Sequence, residues 1–195
     1  MADVLQPDQA LNGEPAARVL YRSLADLEAG FQALPAPPKD LGRVALIVCR
    51  RAPGVHEPLD RVRITLEEAV PGDEWNRRPG RDPASQITVI RGDVSELIAN
   101  GQPLTESGDN LVVDLDISTP NLPAGSRLRV GDAIVEVSPK PHNGCAKFQR
   151  RFGADALQFV QAPATRHHNL RGVHWRVIEP GDVWVGAEIR VLWRP

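Results

Sequence analysis

Leu128-Arg-Val-Gly-Asp-Ala-Ile-Val-Glu-Val137 is the stretch from which the fold of this chain is best predicted. Apolar residues lie on both sides of Gly131, a residue type that accepts the backbone conformations of tight turns, so the stretch predicts a turn that feeds a strand. A second stretch, Val183-Trp-Val-Gly-Ala-Glu-Ile-Arg-Val191, has a similar arrangement. Each stretch is predicted to form a hairpin that closes a β-barrel, although two copies do not establish a repeat array.

Short strands are predicted along most of the chain around these two stretches. They are runs of β-branched apolar residues or of alternating apolar and polar residues, and turns rich in Gly, Pro and Asp separate them. The 195 residues include 16 glycines and 18 prolines, which favours many turns over long helices. The predicted strands comprise residues 44–49, 61–66, 86–90, 111–117, 128–137, 157–160, 173–178 and 189–193. The sequence therefore predicts a mainly β protein, a closed or nearly closed β-barrel with a few short helices.

An amphipathic helix is predicted at the N-terminus, starting near Glu14. Its apolar stripe, which we expect to pack on the main body, comprises Leu20, Leu24, Leu27, Phe31 and Leu34. A Pro-rich segment at 35–38 ends this helix. Residues 1–40 are therefore predicted to form an N-terminal extension with a Pro-rich linker, and residues 41–195 the barrel domain. Residues 1–13 show no pattern and are predicted to be loose.

A second, short helix is predicted after the strand at 86–90. Asp93 and Glu96 have the spacing of a capping box, in which two side chains satisfy the first N–H groups of a helix. The helix is predicted to extend through Ala99 and to end at Gly101.

Charge is unevenly distributed along the chain, although the net charge is only −2. Residues 137–178 contain seven bases and one acid, a net charge of +6, which leaves −8 for the remainder. Four of the five histidines also lie in this segment. A local positive field on an acidic protein favours a site for a small anion, and a solvated basic face is the alternative. The net charge argues against nucleic-acid or membrane binding.

The composition is that of a soluble protein from a reducing compartment. Hydrophobic residues make up 42% and charged residues 25% of the chain, both ordinary values. No apolar run is long enough to span a bilayer, and the first residues do not resemble a signal peptide. Two cysteines do not make a disulfide framework. We therefore expect a cytoplasmic protein that is a monomer or a weak dimer.

Cys145 is the strongest candidate for a reactive residue. It lies in the segment 139–153, which has no carboxylate and contains the cationic or titratable side chains Lys140, His142, Lys147, Arg150 and Arg151. Positive charge stabilises the thiolate, which is the form of cysteine that attacks electrophiles or binds metals. The alternative is that Cys145 is a small buried hydrophobe, as most free cysteines are. Cys49 lies inside an apolar run and is predicted to pack in the core.

Several short motifs occur in the order seen in MOSC domains, and the chain resembles that family from about Gly42 to Pro195. The motifs are Gly108-Asp-Asn-Leu111, Leu122-Pro-Ala-Gly125, Leu128-Arg-Val-Gly-Asp132, Pro141-His-Asn-Gly-Cys145 and Leu170-Arg-Gly-Val173, followed by Val177, Pro180-Gly181 and Gly186. Gly72-Asp73 is a candidate for the Gly-Asp pair that the family carries earlier in the domain. MOSC domains are the C-terminal domain of molybdenum cofactor sulfurases and also occur as small bacterial proteins. The resemblance implies a barrel-centred fold, and the ordered set is more specific than any single motif.

The resemblance also implies roles for particular residues. The single cysteine of the family carries sulfur as a persulfide or is a ligand of molybdenum, and by position this residue is Cys145. Asp109 and Asn110 match the polar turn of the family and are expected at the rim of the pocket. The other residues expected to contact a molybdenum–pterin cofactor are His142 and Asn143, and for its phosphate Lys147, Arg150 and Arg171.

The partners that the resemblance implies are a cysteine desulfurase as sulfur donor and a molybdoenzyme as acceptor. The pyridoxal-phosphate-dependent desulfurase domain of the fused family members has no counterpart in this sequence. Pyridoxal phosphate binding therefore stays a property of the family, and the chain is not expected to generate its own persulfide. Cofactor sulfuration and cofactor delivery, by a carrier or by an enzyme, are both consistent with the residues.

Three other functions fit parts of the sequence. His142 and Cys145 have the spacing of a zinc-ligand pair that His167, His168 or His174 would complete, but there is no second Cys-x-x-Cys pair. The second function is hydrolysis, but the sequence has neither a Gly-x-Ser-x-Gly elbow nor a clear carboxylate pair to support it. A non-catalytic barrel that binds a small anion, with a structural cysteine, is the main alternative because no residue pattern requires turnover.

Tryptophans interleaved with basic residues would suit stacking on the bases of single-stranded nucleic acid. The chain contains Trp75, Trp175, Trp184 and Trp193. Trp193 alternates with charged residues on a predicted strand, which indicates core packing, and core packing is predicted for most of the four.

Overall fold

The computed structural model describes residues 21–195 of the chain. In this part of the chain the strands are β1 (Leu41–Ala52), β2 (Val55–Leu59), β3 (Arg61–Ile64), β4 (Ile87–Arg91), β5 (Leu111–Asp114), β6 (Arg127–Val130), β7 (Ala133–Val137), β8 (Val173–Glu179), β9 (Gly181–Trp184) and β10 (Glu188–Trp193). The α-helices are α1 (Leu24–Ala33), α2 (Gly92–Ala99), α3 (Ala146–Phe152) and α4 (Ala154–Gln161). Short 3₁₀ helices are formed by Glu74–Arg77, Pro83–Ser85, Leu104–Ser107 and Pro163–His168. The predicted loose segment 1–13 and the predicted start of the first helix lie outside the described residues.

Seven strands of the described part form a closed barrel. Their order around the barrel is β1, β10, β6, β7, β8, β4 and β5, and β5 pairs again with β1. β2 adds to β1 outside the closed ring, and β3 with β9 forms a separate two-stranded ribbon. Closure leaves the barrel strands without free edges, which removes the main liability of an open sheet. The predicted mainly β, closed barrel with a few short helices is confirmed.

β4 and β5 form the one parallel pair in the described sheet, with Val89 opposite Leu111. A parallel pair requires a crossover connection, and here α2 and residues 100–110 provide it. The crossover delivers Gly108, Asp109 and Asn110 to the start of β5, where they lie against the outside of the barrel.

The structure has two hydrophobic cores. The barrel interior is filled by alternating strand residues such as Ile47, Leu111 and Trp175, all fully buried. A second core lies between the helices and includes Leu27, Phe148, Phe152, Phe159 and Leu170. This second core fixes the helices to one side of the barrel, where the candidate site lies.

α1 packs on the main body, as predicted for the part of the helix that is described. Leu27 is fully buried in the helical core, with Leu24, Phe31 and Leu34 packed against it. The Ser23 hydroxyl caps the helix by accepting from the Asp26 N–H at 3.2 Å. The helix ends at Ala33, and its C-cap Leu34 directly precedes Pro35.

One of the two predicted hairpins is correct and the other is wrong. β6 and β7 form a hairpin in which Val130 lies opposite Ala133 across the Gly131 turn. In the second stretch β9 pairs with β3, whereas β10 pairs with β6 and β1. The similar local sequence therefore forms a turn, but long-range pairing separates its two strands.

Residues 157–160, predicted as a strand, belong to helix α4. The buried residues of α4 are Ala156, Phe159 and Val160, a three- and four-residue spacing typical of a helix face. A four-residue apolar window does not distinguish a strand from a helix.

The capping box is also wrong. The N-cap of α2 is Arg91, no side chain caps the helix there, and Asp93 in the first turn pairs with Arg91 instead.

Trp193 is 54% exposed rather than packed in the core, because a register shift between Val191 and Trp193 breaks the alternation of β10. Trp75 and Trp175 are buried and Trp184 is half-buried, as predicted for most of the tryptophans.

No helix between residues 21 and 195 has the length and apolar character needed to cross a membrane.

Candidate functional site

The candidate site lies on the outer face of the barrel, beneath the helical layer. Side chains alternate across a strand, so the neighbours of core residues face outward. Arg50 follows the core residue Cys49 on β1, Thr88 lies between the core residues Ile87 and Val89 on β4, and His174 precedes Trp175 on β8. All three outward residues are buried because the loops and helices cover them.

Asn110 joins two of these strands to a buried carboxylate. Its side-chain oxygen accepts from Nη2 of Arg50 at 3.0 Å and from the backbone N–H of Thr88 at 3.1 Å. Its Nδ2 donates to Oδ2 of Asp73 at 3.0 Å. Asn110 is fully buried, so it holds the floor of the site together from beneath.

Two arginines of the site are each held by a buried aspartate. Asp73 accepts from Nη2 of Arg50 at 2.6 Å and from Nε at 3.0 Å. Asp109 accepts from Nη1 of Arg171 at 3.0 and 2.8 Å, one bond to each carboxylate oxygen. Both carboxylates are almost wholly excluded from solvent. Each aspartate fixes the orientation of a guanidinium. Arg50 also donates from Nη1 to the carbonyl oxygen of Gly108 at 3.4 Å, and Arg171 donates from Nη2 to that of Ser107 at 3.5 Å, whereas Nε of Arg171 has no hydrogen-bond partner among the described residues.

Cys145 is exposed and lies at the N-terminal end of α3, directly before Ala146. The loop that carries it is anchored to α4, because Nε2 of Gln161 donates to the carbonyl oxygen of Gly144 at 2.9 Å. Gly144 is packed so closely on α4 that a Cβ there would overlap the side chain of Leu157. Glycine therefore lets the loop lie flat against the helix and present the thiol outward.

The pKa of the Cys145 thiol is lowered. Burial alone would raise the pKa, but opposing influences outweigh it. The backbone N–H groups of Phe148 and Lys147 stabilise the thiolate, and the positive charges of Arg171 and Lys147 act in the same direction. The thiol is therefore both accessible and biased toward its nucleophilic form.

The thiol opens into a cavity of about 490 Å³, which we call the thiol cavity. Six cationic side chains line it, namely Arg50, Arg78, Lys147, Arg150, Arg151 and Arg171. Glu74 is the one lining residue with a carboxylate. A cavity of this volume can hold a small molecule, and its charge selects an anion.

Two histidines form one wall of the thiol cavity, with ring centroids 4.5 Å apart. Burial lowers the pKa of His142 well below its ordinary value, and the charge of Arg171 adds to this effect. Burial also lowers the pKa of His174, whose Nδ1–H donates to the carbonyl oxygen of Lys140 at 3.1 Å. Both rings are therefore neutral near pH 7, and they can exchange hydrogen bonds with a ligand without adding charge.

Gly172 makes room for the His142 ring. Its φ of +103° is unfavourable for other residues, and a Cβ there would overlap the carbonyl oxygen of Val89 and lie 3.3 Å from Nδ1 of His142. His142 Nδ1 is buried without a hydrogen-bond partner and lies 3.7 Å from Oδ1 of Asp109.

Gly172→Ala should destabilise the protein by about 1–3 kcal/mol more than Gly186→Ala, because overpacking adds to the cost of the positive φ. Gly186 is the matched control, since its φ is +86° and no atom lies within 4 Å of a Cβ built there. Urea unfolding would measure both free energies. Equal losses would show that the space at Gly172 does not constrain the wall of the cavity.

The structure brings most of the predicted site residues to the thiol cavity. Cys145, His142, Lys147, Arg150 and Arg171 all line it. Asp109 and Asn110, expected at the rim of the pocket, are fully buried beneath it because their side chains are occupied by Arg171, Arg50 and Asp73. Asn143 lines a different cavity on the other side of the loop.

Several lining residues were not predicted from the sequence. Arg50 and His56 come from β1 and β2, about 90 positions before the thiol, and Arg151 contacts Nε2 of His56 at 3.2 Å. A signal for Arg50 was available, because a charged residue directly follows the apolar run of β1. For Asp73, the only signal in the sequence is the resemblance of Gly72-Asp73 to the Gly-Asp pair of the family. No local signal pointed to His56.

No group of three or more His, Cys, Asp or Glu residues in the described part of the chain is arranged to hold a metal ion. The described residues therefore lend no support to the zinc-type alternative, which stays a prediction. A metal bound by a single protein thiolate does not require such a group.

Comparison with protein families matches this chain to the MOSC domain. The model of the MOSC domain matches residues 72–190, well over half of the chain. The match begins at Gly72 and includes the buried Asp73 as well as Cys145 and Arg171. No curated protein sequence matches the chain.

Solved structures of similar fold include three bacterial proteins. YuaD from Bacillus subtilis is 16% identical, with 77% of this chain and 95% of that chain covered and a TM-score of 0.58. YiiM from Escherichia coli is 22% identical, with 78% and 71% covered and a TM-score of 0.53. YiiM from Geobacillus stearothermophilus is 15% identical, with 78% and 76% covered and a TM-score of 0.55. At these identities the likeness establishes a shared fold.

Proposed function

This chain belongs to the MOSC domain family, which is associated with sulfur chemistry of the molybdenum cofactor, and we propose that its thiol cavity serves that chemistry. In this proposal the cavity binds a molybdenum–pterin cofactor, Cys145 carries sulfur as a persulfide, or both. A cysteine desulfurase would supply the sulfur and a molybdoenzyme would receive the product.

One observation carries the proposal. Cys145 is exposed at a cavity lined by six cationic side chains, and its pKa is lowered there. A structural cysteine would instead be buried with a raised pKa, as Cys49 is. A nucleophilic thiol beside an anion site is the combination that either form of the chemistry needs.

The residues present fit the cofactor. Lys147, Arg150 and Arg171 would hold its phosphate, and Arg171 Nε is buried without a hydrogen-bond partner among the described residues. His142 offers a neutral ring to the pterin. The Cys145 thiolate is a soft ligand of the kind that binds heavy transition metals. When bound, the group would supply a redox-active metal centre.

Sulfur loading would use the same thiolate. The Cys145 sulfur would attack the terminal sulfur of a donor persulfide, a new S–S bond would form on Cys145, and the donor cysteine would leave as a thiolate. Lys147 and Arg171 would stabilise the anionic persulfide as they stabilise the thiolate. No change in the total oxidation state is needed, because one persulfide is exchanged for another.

Mass spectrometry with metal analysis tests the proposal. Wild type, Cys145→Ala and the matched control Cys49→Ala would each be purified from cells that make the molybdenum cofactor. We expect a persulfide, or molybdenum with pterin, in wild type and Cys49→Ala and its loss in Cys145→Ala. Absence of all these species from wild type, or their persistence in Cys145→Ala, would contradict the proposal.

A non-catalytic module that binds a small anion is the second candidate, because the cationic lining of the cavity does not depend on the thiol. The variant Lys147→Glu/Arg150→Glu should lose most binding of inorganic pyrophosphate in calorimetry under either candidate, since both side chains are exposed and line the cavity. The measurement of bound sulfur and molybdenum in wild type and Cys145→Ala separates the two candidates. Pyrophosphate binding without any bound sulfur or molybdenum in wild type would favour the binding module.

A further inference from the structure

A second cavity lies on the other side of the loop that carries the thiol. It has a volume of about 980 Å³, and its lining comes from the segments 119–124 and 137–143, the end of α4, the 3₁₀ helix Pro163–His168 and the residues that follow it. His142 and Arg171 are the two residues that it shares with the thiol cavity. The loop is therefore a wall between two compartments.

The second cavity differs from the thiol cavity in having a large apolar surface. Its buried floor includes Leu122, Val137, Leu170 and Val173. Prolines at 139, 141 and 163 add flat apolar surface. An apolar floor of this kind favours a ligand with a hydrophobic, planar body, which the strongly cationic thiol cavity does not.

The polar groups of the second cavity carry only positive charge or none. No Asp or Glu is among its lining residues. Lys140 pairs with Asp82, whose Oδ2 lies 2.8 Å from its Nζ, and Arg171 pairs with Asp109. Arg166 is exposed and forms no ion pair with any residue between 21 and 195. Its guanidinium is thus the free cation at this cavity.

Amide and hydroxyl groups complete the rim. Asn143, Gln161, Asn169 and Thr119 line the cavity. The Asn169 side chain is already committed to the carbonyl oxygen of Ile117 at 2.8 Å, and Gln161 to Gly144, so these two residues shape the rim. The Asn143 side chain makes no hydrogen bond within the described part of the chain and can orient a polar edge of a ligand.

We infer that the second cavity binds a small organic anion with a planar apolar body, such as an aromatic carboxylate, with Arg166 as its charge partner. The apolar body would lie on the floor of Leu122, Val137 and Leu170. The bound molecule would contact the face of His142 and Arg171 opposite to the thiol cavity. This inference does not depend on molybdenum or on sulfur transfer.

NMR titration with 2-naphthoate tests the inference on the full chain. We expect shifts of the amide signals of Ser138, Asn143, Arg166 and Gly172, whereas those of Gly54, Gly108 and Lys147 stay in place. The uncharged analogue 2-naphthalenemethanol should bind about tenfold more weakly, because it lacks the charge-assisted hydrogen bond. A tenfold excess of inorganic phosphate, which has no apolar body, should not displace 2-naphthoate.

Two single-charge variants locate the site. Arg166→Ala and Arg150→Ala each remove one exposed cation, the first from the second cavity and the other from the thiol cavity. We expect about tenfold weaker binding of 2-naphthoate for Arg166→Ala and less than a twofold change for Arg150→Ala. Ala124→Glu, at an exposed lining position, should also weaken binding by placing a carboxylate at the mouth.

Three results would overturn the inference. They are the absence of saturable shifts, a larger loss for Arg150→Ala than for Arg166→Ala, and equal binding of the charged and uncharged naphthalene compounds. The outcome is independent of the test with Cys145→Ala, since that test measures bound sulfur and molybdenum. If the naphthoate test fails, the proposed function is unaffected, and if the Cys145→Ala test fails, the inference about the second cavity is unaffected.

Discussion

Replacing Asp73 with alanine is expected to lower the free energy of unfolding by about 3–5 kcal/mol, because it leaves a buried guanidinium without its partner. Arg50 donates to Asp73 from Nε, from Nη2 and from its backbone N–H at 3.0, 2.6 and 2.8 Å. The N–H of Trp75 and Nδ2 of Asn110 complete five bonds to this carboxylate. Chemical denaturation of wild type and variant would measure the loss.

Asp40→Ala is the matched control for this prediction. Asp40 pairs with Arg194 at 2.7 Å, but its side chain is 75% exposed, and exposed pairs contribute about 0–1 kcal/mol. Similar losses of unfolding free energy at the two positions would show that burial does not increase the contribution of the Asp73–Arg50 pair to stability.

The effect of Asp73 should depend on pH. Burial alone would raise the pKa of this carboxyl group, but Arg50 and the backbone N–H groups lower it below the ordinary value. A lowered pKa in the folded state stabilises the protein above the unfolded pKa, near about 4, and this contribution is lost as the pH falls through the folded pKa. The difference between wild type and Asp73→Ala should therefore be constant near pH 7 and shrink below about pH 4.

Cys145 should be alkylated at least about 100-fold faster than Cys49 in the native protein. Cys145 is exposed with a lowered pKa, whereas Cys49 is fully buried with a pKa raised by burial. A buried thiol reacts only when the structure opens, which is rare for a residue in the barrel core. Iodoacetamide labelling followed by peptide mass spectrometry would give both rates at pH 7.

Labelling in concentrated urea provides the control, since unfolding removes both environments and the two rates should converge. A second readout is the pH dependence of the Cys145 rate, whose midpoint should lie below that of the same thiol in urea. Equal native rates for the two cysteines would remove the case for an activated thiol.

The barrel could be predicted because its strands carry their own signals. Branched apolar runs such as that of β1 and the Gly131 hairpin indicate strands and turns over a few residues. One wrong prediction arose because a short window is ambiguous. Residues 157–160 fit a strand as well as a helix, and only packing of Phe159 and Val160 in the helical core selects the helix.

The chemistry of the site was predictable in part for the same reason. Cys145, His142 and Lys147 lie within one short segment, so their proximity follows from the sequence. Arg50 and His56 join them through the pairing of β1 with β5 and β2, which no local pattern encodes. The burial of Asp109 and Asn110 depends on partners that are distant in the chain, so their role beneath the cavity required the structure.

Closure of the barrel by β1 and β10 has a consequence for how the protein is made. Residues paired there, such as Leu41 and Arg190, are about 150 positions apart in the chain. At the usual rate of translation, the start of β1 waits roughly 7–30 s for its partner strand to leave the ribosome. During that interval an unpaired strand edge is open to other chains, so this protein should depend on chaperones during synthesis more than a helical protein of equal length.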